Sequence, residues 1–179
     1  MQEILDNSYP YELVDVKPEH YKYDFVSVGI KEIPKRVSIR PIWQEYYNLG
    51  FGNIKINDNG EEEIDDTAKN DNKTDGDKIL CTALSCSLDF LIRNDGTKIA
   101  FFGNTALKHR LYKMRLCGKL ESLKQSLVLK GAIINDYTIK LDANGYKVLG
   151  QIDPNKIQYE DFDVTNCNHY NFITFEIIK

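Results

Sequence analysis

The chain has 179 residues, of which 42% are apolar, enough for one well-buried core and short for two, so a single domain over residues 1–179 is expected. A net charge of −4 excludes a surface coated with cations for nucleic acid and leaves room only for a local basic patch. The opening stretch MQEILDNSYPYEL lacks a basic start followed by an apolar segment, and no apolar run approaches the roughly 20 residues of a membrane span, so we expect a cytoplasmic chain with no membrane contact.

In chain order, the segments YKYDFVSVGI and RVSIRPIW, between Tyr21 and Trp43, are rich in β-branched and aromatic residues. Lys31 to Lys35 connects them, which predicts a hairpin. Val37, Ile39 and Trp43 alternate with Arg36, Ser38 and Arg40, so one face meets the core and the two arginines share a solvated face. Gln44 to Ile56 continues as a third strand. Its Gly50-Phe51-Gly52 suggests a bulge or a close backbone approach.

Composition then shifts. Residues 57–77 carry nine carboxylates against two lysines, a balance of −7 that predicts a mobile, solvated loop. A calcium loop starting at Asp71 fails, because Lys73 stands at its third position and Thr82 at its twelfth. Asp65 and Asp66 could still serve a hard cation, since oxygen ligands from loops leave little spacing signature. Asp75 and Asp77 are candidate N-caps for KILCTALSCSLDFLIR, which is apolar on two adjacent helical faces and should be the most buried helix. Asn94-Asp95-Gly96 ends it.

Lys98 to Lys119 reads as a buried strand, Ile99 to Phe102, then the turn Gly103-Asn104-Thr105, then a basic helix over 106–119. From Leu107 to Lys124 six cations face Glu121 alone, a balance of +5. Leu107, Leu111 and Met114 at i, i+4 and i+7 predict the helix's core face, which directs the cations elsewhere. Amides at the helix start, the positive end of its dipole and the cations one turn on would suit an anion. The candidate ligand-binding residues are Asn104, Thr105, Lys108, Arg110, Tyr112, Lys113 and Arg115. The competing reading has these cations paired with the acidic loop or facing water.

Gly118 should break the helix, after which Leu116, Leu120, Leu123 and Leu127 form a second stripe. LVLKGAII predicts a strand, and residues 135–168 are rich in turn signals such as Asn144-Gly145 and Asp153-Pro154. HYNFITFEII predicts a last strand inside the sheet. The sum is an α+β fold: a mixed, mainly antiparallel twisted sheet with two to three helices.

Cys81, Cys86, Cys117 and Cys167 form no C-x-x-C pair, and His20, His109 and His169 stand apart without ligand spacing. No metal and no cofactor is therefore assigned. Cys81 and Cys86 lie in the apolar helix, where a free thiol packs as a small hydrophobe.

Gly103-Asn104-Thr105-x-x-Lys108-x-Arg110-Leu111-Tyr112-Lys113 resembles the G-S-T-x-x-R-x-R-L-Y-R signature of an uncharacterised small-protein family of unknown function. Asn48 to Asn53, Ile64-Asp65-Asp66, Gly76 to Thr82 and Tyr170-Asn171-Phe172 resemble further pieces of that pattern in the same order. The chain departs from it at Asn104, Lys108, Lys113 and Asn53. The order of elements is also similar to that of GNAT-like acyltransferases. That resemblance would place a cofactor pyrophosphate at Lys73 to Lys78, where Asp75 and Asp77 oppose an anion.

The reading that follows is a non-enzymatic binding or regulatory module whose basic helix docks an acidic protein partner, a phosphate-bearing ligand or nucleic acid. It rests on the basic patch and on the lack of any nucleophile–base set. A degenerate GNAT-like acyltransferase or other phosphate-ligand enzyme, with Tyr112 as general acid, is the alternative. Segments of opposite charge also suit half of a toxin–antitoxin or phage-defence pair, or a homodimer.

Overall fold

The computed structural model describes residues 1–17, 20–65, 72, 74–103, 106–134, 153–165 and 169–178. They group into two compact units, one of Met1–Arg40 with Asn48–Asp95, the other of Pro41–Tyr47 with Gly96–Lys179. Nine strands and four α-helices occur among the described residues, an α+β fold with four helices against the two to three read from the sequence. No helix among the described residues is long and apolar enough to cross a membrane.

The first unit runs α1 (Gln2–Asp6), β1 (Tyr11–Lys17), β2 (His20–Val28), β3 (Glu32–Trp43), β4 (Tyr46–Ile56), β5 (Glu62–Asp65) and α2 (Gly76–Arg93), the ends of β3 and β4 around their shared turn belonging to the second. Its strand order is β1-β2-β3-β4 with β5 on β4. The β2–β3 hairpin pairs Tyr23 with Val37 and Tyr21 with Ile39, in the alternation read from the sequence. Tyr23, Phe25, Val37 and Ile39 are buried, together with Ile79, Leu80, Ala83, Leu84 and Phe90 of α2. Tyr21 meets the Phe90 ring edge-on at 4.9 Å. Burying about 2 kcal/mol of apolar side chain at each such position holds helix and sheet together. Cys81 and Cys86 are buried in α2, as expected for packing thiols, and burial pushes the Cys86 thiol well above its usual range.

Two readings of this region need correction. Residues 57–77 are not one loop: Glu62–Asp65 form β5, antiparallel to β4, with Ile64 opposite Ile54 across the ladder, Glu63 paired with Lys55 and Glu62 with Arg36. A side chain at Gly50 would meet nothing nearer than the Ser38 carbonyl at 3.9 Å. Arg36 does not share a solvated face with Arg40. It is 5% exposed and donates to both Asp24 oxygens, at 2.7 and 2.6 Å, and to Glu62 Oε2 at 2.7 Å, whereas Arg40 is exposed.

The second unit holds β6 (Lys98–Phe101), α3 (Ala106–Cys117), α4 (Leu120–Lys124), β7 (Leu127–Ile134), a 3-10 turn over Pro154–Lys156, β8 (Ile157–Asp161) and β9 (Phe172–Ile177). Its order is β6-β9-β7-β8, each pair antiparallel. The last strand is internal, as its composition predicted. It also lies between β6 and β7 and is antiparallel to both. The stripe Leu116, Leu120, Leu123 and Leu127 is buried as expected. Asp153 caps the 3-10 turn by accepting from Asn155 N–H at 3.0 Å, while Asn144-Gly145 and Cys167 lie outside the described residues.

Candidate functional site

The corner between β6 and α3 is built on a close backbone contact. A Cβ at Gly103 would lie 2.2 Å from the backbone nitrogen of His109, so only glycine lets the first turns of α3 lie against the end of β6. His109 then locks the helix. Its Nδ1 accepts from Gly103 N–H at 3.3 Å and its Nε2 lies 3.0 Å from the Tyr170 carbonyl. A backbone N–H can only donate and a carbonyl only accept, so Nδ1 is bare and Nε2 carries the proton. Tyr170 is itself fixed, with its ring over Gly131, where a Cβ would come within 2.2 Å, and its hydroxyl accepting from Asp163 N–H at 3.0 Å.

Further along α3, Tyr112 stacks on Phe101 of β6 with ring centroids 5.0 Å apart and planes 24° from parallel. Leu116 is fully buried, and Lys113 is buried as well. The inward face is therefore His109, Tyr112, Lys113 and Leu116. This overturns the core face expected from Leu107, Leu111 and Met114. Leu111 is 42% exposed and Met114 61% exposed, so both point outward, and the side chain of Leu107 lies outside the description. The apolar periodicity was real but described the wrong side, because a glycine contact and a histidine with two hydrogen bonds set the helix rotation.

The outward face joins Leu111 and Met114 to Arg110, which is exposed, with Lys108 and Arg115, both half-buried, along its flank. Neither Arg110 nor Arg115 makes an ion pair or hydrogen bond among the described residues, and Arg115 Nη1 is buried with no acceptor. A guanidinium nitrogen removed from water without an acceptor is a costly arrangement. Of the seven residues read as a site, Lys108, Arg110 and Arg115 thus border one open surface. Tyr112 and Lys113 turn inward. Asn104 and Thr105 lie outside the described residues.

Sequence reasoning missed a second polar cluster, in the first unit. Lys35 is 4% exposed and donates to Asn53 Oδ1 at 2.6 Å; burial pushes its ammonium pKa down against the pull of Asp75. Asp75 was expected to cap α2, yet its side chain makes no cap bond. Its Oδ2 accepts instead from Tyr9 at 3.1 Å and from Ser27. Asn72 completes the group by donating to Ser27 Oγ at 2.9 Å and to the Lys31 carbonyl at 2.9 Å. A signal was available: Lys35 sits two and four residues before Val37 and Ile39, in phase with the core. Beside β2 and β3 on the other sheet face, a cleft of about 670 Å³ is lined by Val14, Asp15, Lys22, Asp24, Arg36, Glu61 and Glu62. Most of these charges are already paired within the cleft: Lys22 with Asp15, and Arg36 with Asp24 and Glu62. Among the described residues no group of three His, Cys, Asp or Glu side chains could hold a metal ion.

No curated protein and no solved structure matches this sequence. A family model does match, over residues 6–149, a span that includes both clusters and the Gly103-Asn104-Thr105 sequence before α3. Its description is a family of unknown function, DUF6934, and the chain belongs to that family.

Proposed function

We propose that the protein is a binding module that docks an anionic partner on the outward face of α3. The observation that carries this reading is the exposed Arg110, whose side chain makes no ion pair or hydrogen bond among the described residues, standing with the half-buried Arg115 beside the exposed Leu111 and Met114 on the same helix. Charge-assisted hydrogen bonds from guanidinium to carboxylate or phosphate are short and strong, and exposed Leu and Met supply contact area that solvent does not reward. Exposed apolar side chains between the cations favour an acidic protein surface over a nucleic-acid backbone, which offers phosphates and no apolar complement. Tyr112, stacked on Phe101, supports a packing role over that of a general acid.

The test is fluorescence anisotropy with labelled polyglutamate, heparin and a short DNA duplex, each at low and high salt. The wild-type chain should bind polyglutamate best at low salt, and Arg110→Glu with Arg115→Glu should weaken it at least tenfold. Equal binding by the double variant, or no binding to any of the three probes, would sink the proposal.

A further inference from the structure

The acidic counterpart that the α3 face calls for is present on the chain itself. The β4–β5 hairpin closes through Asn57, whose Oδ1 accepts from Asn59 and Glu61 N–H at 3.0 and 2.9 Å, and whose own N–H donates to the Glu61 carbonyl at 2.9 Å. The tip is thus a formed surface. Ile56 is 63% exposed beside it. Of the nearby acids, Glu62 pairs with Arg36 and Glu63 with Lys55, while Asp58 and Glu61 are exposed and make no ion pair among the described residues. One exposed aliphatic with two uncommitted carboxylates mirrors Leu111 and Met114 with two uncommitted guanidiniums.

Resting on the reading of α3 as a docking face, we infer that its occupant is a second copy of this chain, which presents the β4–β5 tip to it. Ile56 meets Leu111 and Met114, and Asp58 and Glu61 meet Arg110 and Arg115. The contact is heterologous, since two different patches pair. A hairpin tip on one helix face covers less than the roughly 800 Å² per partner of a standard interface, so the association should be weak, concentration-dependent and salt-sensitive.

Sedimentation velocity tests it. The wild-type chain should show an average mass that rises between about 10 and about 300 μM protein, the range expected for a small interface, and that falls to the monomer value at about 0.5 M salt. Arg110→Glu with Arg115→Glu, and separately Asp58→Lys with Glu61→Lys, should each stay monomeric at low salt. An equimolar mixture of the two variants should associate again, because each then offers the charge that the other's altered face requires. A wild-type chain that stays monomeric throughout, or a mixture that fails to associate while both variants are folded by circular dichroism, overturns the inference. If the wild-type chain is monomeric yet still binds polyglutamate through Arg110 and Arg115, the self-association falls and the docking function stands. Loss of both would remove both.

Discussion

The orientation of α3 can be tested by truncating its leucines and methionine one at a time. Leu116→Ala removes about three buried carbons, worth roughly 2.4 kcal/mol at about 0.8 kcal/mol per methylene, and the cavity left at a fully buried site raises the cost to about 3 to 4 kcal/mol. At Leu111, with 42% of its surface already in water, the same truncation forfeits about 1 kcal/mol and leaves no closed cavity. Met114, at 61% exposed, should lose under about 1 kcal/mol, part of it offset because alanine is the better helix former. Urea unfolding followed by far-UV circular dichroism gives the three midpoints directly. The periodicity of Leu107, Leu111 and Met114, with Leu116 on the second stripe, predicts comparable losses at all three truncated positions. If Met114→Ala or Leu111→Ala proved as costly as Leu116→Ala, the outward face would be wrong, and the docking surface with it.

Two glycines should respond in opposite ways. Gly103→Ala places a Cβ 2.2 Å from the His109 backbone and should cost about 2 to 3 kcal/mol, whereas Gly118→Ala meets only the Arg115 carbonyl at 3.5 Å and should be neutral or stabilising by up to about 1 kcal/mol, both read from thermal midpoints. Arg36→Ala strands Asp24 beneath a buried guanidinium site and should cost about 3 kcal/mol, while Glu62→Gln, on a side chain half in water, should cost under about 1 kcal/mol; equal losses in denaturant titration would contradict the geometry. His20 accepts from Arg40 Nε at 3.1 Å and lies 2.7 Å from Ser38 Oγ, and burial, then Arg40 and Lys22, push its pKa from 6.5 down to about 4. The fold thus favours neutral His20, so its contribution is complete above pH 6.5 and is lost as pH falls toward 4. His20→Gln should flatten stability across that window, and an unchanged pH profile would refute the assignment.

What the sequence disclosed follows from where its signals were local. The β2–β3 hairpin, α2, the break at Gly118 and the last strand were legible because alternation, helical periodicity and turn residues act over a few neighbours. The strands β1, β5 and β8 were not. YELVDVK carries charges at Glu12, Asp15 and Lys17 that dilute its alternation, Glu62 to Asp65 is three-quarters acidic, and Ile157 to Asp161 sits among turn residues. Each is held as a strand by a partner distant in sequence, or by a ladder whose gain no local pattern reports. The rotation of α3 was hidden for the same reason: it depends on Gly103 against His109 and on Tyr170 sixty-one residues away. Charge composition placed the candidate site on α3. Which cations remain open there, Arg110 and Arg115 and not Lys113, depends on tertiary contacts. Asp75 shows the converse, since a residue placed for capping by its position serves Tyr9 and Ser27 instead.

The most direct measurement of the central claim is a nuclear magnetic resonance titration that follows the side-chain Nε–H signals of all arginines as polyglutamate is added at low salt. The signals of Arg110 and Arg115 should shift together and saturate, with backbone changes centred on residues 109–116 and with Arg36, already committed to Asp24 and Glu62, unmoved. Shifts centred elsewhere, or signals of Arg110 and Arg115 that stay in place while polyglutamate binds, would contradict that claim.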